Sequence, residues 1–217
     1  MTMRRLLVNS HVSSTRARDR LLDSLARNPD WERFEVLVVV GGAVSNQTQT
    51  VGNVTWIEVT HNSIDWTALI EMIGRQPPDD EYMYVHDTCE VGPDFFDRAW
   101  RAPLIGMTAR IRRRTHKSMN MGLYKQRWID DHATLLRSFR NDGGDLQACK
   151  ERCIRSEDVL FDMDPANTVI GSGIAEIERA RDVYGNGVPR ITETYPDVSL
   201  RKFKANWTMR PRYCLLN

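Results

Sequence analysis

Apolar residues in this chain fall into short runs separated by amphipathic stretches, a pattern that predicts alternating strands and helices. Residues 4–9 read as a first strand. Ser14 is placed to cap a helix over 15–27 whose apolar stripe is Leu21, Leu22 and Leu25, and Asn28-Pro29 stops it. The near-continuous apolar run 34–40, closed by Gly41-Gly42, suits a strand buried on both faces. A polar segment at 45–50 leads to a third strand at 54–59. Asn62 or Ser63 then starts a helix carrying Trp66, Leu69, Ile70 and Ile73 on one side. Pro77-Pro78-Asp79-Asp80 breaks that helix. The next run, Tyr82-Met83-Tyr84-Val85-His86-Asp87, is a fourth strand ending in an acid. Gly92-Pro93-Asp94 and an amphipathic pattern (Phe95, Phe96, Ala99, Trp100) follow, with Pro93 suited to a helix's first turn. This order predicts an α/β fold with a largely parallel sheet and crossover helices.

The second half is less regular. It predicts a strand at 108–113, a loop at 117–125 and helices at 126–139, 146–155 and 174–183, with a tail rich in Pro, Arg, Lys and aromatics. There is no internal repeat and no low-complexity linker. The simplest partition of 217 residues is one domain, with a more regular half at about 1–105 and a less regular half at about 106–217.

Composition narrows the picture only slightly. Hydrophobic content of 41% and charged content of 27% are ordinary for a globular protein, and a net charge of +1 points to neither a polyanion binder nor a membrane-surface protein. No apolar run approaches the roughly 20 residues of a membrane span, and the apolar stretch at the amino terminus is too short for a signal peptide. A cytoplasmic location is therefore expected. Cys89, Cys149, Cys153 and Cys214 lack the spacing of a structural zinc site and read as reduced thiols. Without a secretory signal, the sequons at Asn46, Asn53 and Asn206 are chance matches. The basic run 110–117 alternates poorly with aromatics and reads as a solvated face, so no stable nucleic-acid partner is expected.

The chemistry is concentrated at strand ends. Asp87 belongs at the carboxyl end of a buried strand, where open α/β sheets place their ligands and where an acid can hold a divalent cation against a phosphate. A turn cap is the competing reading of the same residue. With this acid ending the fourth strand, the order of elements resembles the nucleotide-sugar glycosyltransferases of the GT-A fold, closest to the small single-domain enzymes of bacteria and large algal viruses. In that family an Asp-x-Asp motif holds Mn2+ or Mg2+ on the donor diphosphate. Here the matching segment is Val85-His86-Asp87, with Asp87 in the last acid's place and valine in the first. The resemblance implies Mn2+ or Mg2+ as cofactor, a nucleoside-diphosphate sugar (a UDP-sugar) as donor, and a glycan or other hydroxyl compound as acceptor.

It also implies a set of site residues. Asn9, Ser10 and His11 after the first strand, and Asn62 and Asp65 after the third, stand where the family holds the nucleoside, and His86 joins them on the motif itself. Asn120 and Gly122, in Ser118-Met119-Asn120-Met121-Gly122-Leu123-Tyr124, match the loop against donor sugar and acceptor. Glu157-Asp158 resembles the acidic pair that supplies the general base in inverting members, Asp158 being the first choice and Glu157 the second. The same pair after Ser156 also reads as a helix start, where carboxylates are favoured. Arg201, Lys202 or Lys204 in the tail is placed to neutralise the leaving diphosphate. No histidine follows His132, so a carboxy-terminal histidine ligand is missing. Two other readings remain open. A nucleotidyltransferase would carry a glycine-rich loop after the first strand, whereas Asn9-Ser10-His11-Val12-Ser13-Ser14 has no glycine. A non-catalytic carbohydrate- or nucleic-acid-binding module would use the basic run as its contact surface.

Overall fold

The strand runs assemble as their pleat dictates. In β1 (Arg4–His11), Leu6 and Val8 point to one face and Leu7 to the other, and all three are fully buried. A strand buried on both faces needs a layer on each side. One face is covered by α1 (Thr15–Ala26), through Leu21 and Leu25, and by α3 (Phe95–Ala99), through Phe95 and Phe96. The other is covered by α2 (Thr67–Glu71), α4 (Gln126–Asp131), α5 (Ala133–Ser138), α6 (Leu146–Arg155) and α7 (Val159–Met163). The computed structural model describes residues 2–101, 103–112, 117–171, 173–174, 176–178 and 182–205.

The central sheet comprises β1, β2 (Glu35–Gly41), β3 (Gln47–Val51), β4 (Val54–Val59), β5 (Glu81–His86), β7 (Thr108–Arg110), β8 (Gly122–Lys125) and β9 (Thr168–Val169), in the order β3-β4-β2-β1-β5-β8-β7-β9. β4, β2, β1 and β5 are mutually parallel, so their carboxyl ends open on one edge. β3 and β8 run against their neighbours. A second sheet, in the order β10-β11-β12-β6, joins β10 (Glu176–Glu178), β11 (Arg190–Tyr195), β12 (Leu200–Ala205) and β6 (Cys89–Val91). Because β6 follows β5 after only two residues, this second sheet lies directly beside the carboxyl edge of the first. The result is a mostly parallel α/β sheet with helices on both faces.

Several elements differ from the sequence expectation. The fourth strand ends beside Asp87 as expected, but Cys89–Val91 then form a further short strand, β6, which the sequence pattern did not mark and which pairs with β12. The polar segment at 45–50 overlaps β3, whose residues are all exposed, so it lacks the apolar alternation that marks a half-buried strand. It is held by antiparallel pairing to β4 and closed at Gly52, which has φ +60°. The loop expected at 117–125 contains β8, and the strand at 108–113 ends at Arg110. The helix at 126–139 is two short helices broken at His132. The helix from Asn62 or Ser63 is a 3-10 turn, Ile64–Trp66, followed by the short α2. The helix expected at 174–183 is replaced, among the described residues, by strand β10. Residues 113–116 of the basic run, and Asn206 and Cys214, lie outside the described residues. Cys89, Cys149 and Cys153 are buried free thiols, and no helix among the described residues is long and apolar enough to cross a membrane.

Candidate functional site

An open cleft of about 410 Å3 lies where the parallel strand ends meet the second sheet. Asp65 reaches it from the turn after β4. That turn is anchored by Trp66, fully buried and stacked on Phe139 with ring centroids 4.6 Å apart, and by the Tyr84 hydroxyl, which donates to the Asp65 carbonyl. Such a pair adds about 0.5–1.5 kcal/mol beyond its buried area. His86 and Thr88 line the cleft from the end of β5, while Asp87 between them does not. Lys150, Cys153 and Ile154 enter from one face of α6, and Glu157 from the turn after it. Lys202, Lys204 and Arg190 come from β11 and β12. Lys202 and Lys204 are two apart on one strand and therefore share a face.

The charges in this cleft act on one another. Burial pushes the Asp65 carboxyl above the usual range, against the pull of Lys202 and Lys150, with Asp87 adding to the rise and Lys204 opposing it. Glu157 is pushed up to about 7, first by burial and then by Asp158 and Asp65, with Lys204 and Lys117 opposing. A carboxyl group with that proton affinity is suited to accept a proton at neutral pH. Burial, reinforced by Lys202, drives His86 well below the ordinary imidazole range, against a backbone contact with Met119 that favours its charged form. Its Nδ1 lies 3.8 Å from Asp65, and its buried Nε2 has no hydrogen-bond partner among the described residues.

The other sequence-derived candidates are engaged elsewhere. Asp87 was expected as an exposed metal ligand, but it is 7% exposed. Its Oδ2 accepts from the Ser10 hydroxyl at 3.0 Å, and Ser14 also favours its charged form, so Ser10 and Ser14 serve Asp87. Burial raises the Asp87 carboxyl, while Lys202, both serines and Arg18 pull it down. Asn9 ties β1 to the Asp65 turn, donating to the Ile64 carbonyl at 3.0 Å and accepting from the Ala68 amide at 2.9 Å. His11 turns back onto Ser13 of its own loop, with Nδ1 to Oγ 2.8 Å. Asn62 accepts from the Ile64 amide at 3.2 Å and exchanges backbone and side-chain bonds with Asn141. Gly122 is needed by the sheet: a Cβ there would overlap the Ala109 carbonyl oxygen and come within 2.9 Å of Arg110 Cα. Arg201 faces away and pairs with Glu90 at 2.9 Å.

Asp158, the first choice for a base, holds the 118–120 loop. One oxygen accepts from the Asn120 amide at 3.0 Å and the other from the Ser118 amide, and Asn120 Oδ1 accepts from the Asp158 amide at 2.9 Å. Glu157, the second choice, is the one that reaches the cleft. Sequence reading missed Thr88, Lys150 and Arg190. Lys150 had a usable signal, since Lys150, Cys153 and Ile154 lie at helical i, i+3, i+4 spacing on α6.

Mn2+ or Mg2+, implied by the resemblance with Asp87 as its protein ligand, is not matched by this donor set. Asp87 is buried and does not line the cleft, and its Oδ2 accepts from the Ser10 hydroxyl at 3.0 Å. The carboxylate that does line the strand ends, Asp65, already has Lys202, Lys150 and Lys204 acting on it. Among the described residues, no three of His, Cys, Asp or Glu cluster closely enough to hold a metal ion.

Comparison with protein families and with curated proteins found no match. Solved structures do match. The glycosyltransferase GlyE of Streptococcus pneumoniae TIGR4 superposes with a TM-score of 0.51 at 11% identity, covering 77% of this chain and 46% of that one. TarS 1-349 of S. aureus in complex with UDP matches with a TM-score of 0.42 at 17% identity, covering 61% of this chain and 49% of that one. This chain thus spans about half the length of the structures it matches. The likeness to GlyE shows a common GT-A-like α/β fold.

Proposed function

We propose that this chain transfers a sugar from a nucleoside-diphosphate sugar to a hydroxyl acceptor, with Glu157 as general base. The carrying observation is that Glu157, with its proton affinity raised to about 7, shares one cleft with Lys202 and Lys204 at the carboxyl edge of a parallel sheet. The fold held in common with GlyE supports the reading, though a fold does not by itself specify chemistry. The choice of UDP follows from the resemblance of the sequence.

In the proposed reaction the acceptor oxygen attacks the anomeric carbon of the donor. Glu157 takes the hydroxyl proton as the new carbon–oxygen bond forms, and the bond to the diphosphate breaks on the opposite face. That is an inverting displacement. Asp65 and Nε2 of His86, which has no hydrogen-bond partner among the described residues, offer polar contacts to the donor on the β4 and β5 side. Trp66, Asn9 and Asp158 act at one remove, holding the loops that carry these groups.

The test is release of UDP from a panel of UDP-sugars on addition of sugar acceptors, with product anomers read by NMR. An inverted product whose formation falls in Glu157→Gln supports the reading. Failure of any nucleoside-diphosphate sugar to bind or turn over excludes it.

A further inference from the structure

We infer that Lys202 takes the place of a divalent cation here, so that the donor diphosphate is held, and its departure assisted, by protein ammonium groups without metal. This rests on the proposed glycosyltransferase reading and adds to it the source of the counter-charge.

The first observation is an incompletely satisfied buried cation. Lys202 is 3% exposed, and among the described residues it forms no ion pair with a carboxylate within 4.0 Å. Its hydrogen bond is to the Thr88 hydroxyl, at 2.6 Å. An ammonium carries three donors, and burying one without matching acceptors is unfavourable. An anionic ligand in the cleft supplies what is missing.

The second is where this charge is held. β12 pairs with β6, placing Lys202 opposite Cys89, and its side chain reaches back to Thr88. The ammonium is thereby fixed to the same strand end at which the resemblance would place the metal. At that strand end His86 and Thr88 face the cleft and Asp87 does not.

The third is electrostatic. Asp65, the carboxylate on this side of the cleft, lies in the field of Lys202, Lys150 and Lys204, and Lys202 also acts on His86 and Asp87. A divalent cation at Asp65 would meet three like charges; a diphosphate would meet three opposite ones together with the Asp65 and Glu157 carboxyls, whose negative charge burial disfavours. Lys204, on the same face of β12, extends the cationic row along the cleft. Preorganised cations directed at a departing diphosphate perform the same electrostatic work as a bound metal.

The test is titration calorimetry of UDP and of uridine, each in EDTA and in Mn2+, with the wild-type protein and with Lys202→Met. The inference expects UDP to bind more tightly than uridine in EDTA, and Mn2+ to change its affinity by less than about twofold. In Lys202→Met the advantage of UDP over uridine should fall by about 10- to 100-fold, the scale of a lost charge-assisted hydrogen bond, while uridine affinity is retained. UDP binding that requires Mn2+ overturns this inference and leaves the proposed function standing. An unchanged UDP advantage in a folded Lys202→Met also overturns it. Absence of nucleotide binding under every condition overturns both. Should Lys202→Met fail to fold, the wild-type comparison of EDTA with Mn2+ decides alone.

Discussion

Asp158 and Asn120 bind each other reciprocally: each backbone amide donates to the other's side chain, at 3.0 Å and 2.9 Å. Both residues adopt positive φ, 68° and 60°. The pair, with the Ser118 amide on the second Asp158 oxygen, closes the 118–120 loop onto the turn before α7 and leaves Glu157 next to the cleft. Asp158→Asn should therefore cost about 1–3 kcal/mol, because an NH2 group would face a buried N–H that now has an acceptor. Asparagine tolerates the left-handed conformation, so backbone strain does not account for the loss. Urea denaturation measures it. A change below about 0.5 kcal/mol would mean that the loop does not depend on the carboxylate.

Glu157→Gln should lower transfer by about 100-fold or more, the scale of lost general-base assistance, while leaving nucleotide affinity nearly unchanged. In the wild type the rate should rise with pH and level off above about 7, since the base acts when deprotonated. Stability moves the other way. The folded state raises this carboxyl from 4.5 to about 7, so its contribution is full below pH 4.5 and is lost as pH rises to 7. Glu157→Gln should remove that loss, making the variant less pH-dependent than the wild type between those values. Melting temperatures across pH 4–8 check the sign.

Asp87→Ala should destabilise the fold by about 1–3 kcal/mol, because it removes the acceptor for the Ser10 hydroxyl from a buried site and leaves Lys202 with less compensating charge. An exposed metal ligand would behave differently, its loss leaving stability intact. Chemical denaturation beside UDP titration separates the two roles.

Gly122→Ala should cost about 1–3 kcal/mol through overpacking, since a methyl group would be driven into the Ala109 carbonyl where β8 meets β7. If nucleotide binding is lost while stability is retained, Gly122 belongs to the ligand site and not to the sheet.

The sequence alone determined the parallel half of the sheet. Runs such as Val36 to Val40 and Tyr82 to Val85 are apolar at every position, and only a strand covered on both faces accommodates that. The α6 helix was legible at its observed bounds, since its Cys149 and Cys153 face recurs at helical spacing. The resemblance to the GT-A family, and not the apolar–polar pattern, supplied Asp65, His86, Glu157, Lys202 and Lys204 as candidates, and the structure brings all five to one cleft. Tertiary structure decided the rest. β3 is exposed throughout, and β6 and β8 acquire their character from partners distant in sequence, so none carries a period of its own. Asp87 against His86, Asp158 against Glu157, and Arg201 against Lys202 are each pairs of neighbours of which one faces the cleft and one does not. Which member of a pair enters the cleft is set by strand register and by long-range partners: Ser10 for Asp87, Asn120 for Asp158, Glu90 for Arg201. Hydrogen bonds across such separations are not encoded in the local alternation of apolar and polar residues, because the partner becomes a neighbour only when the chain folds.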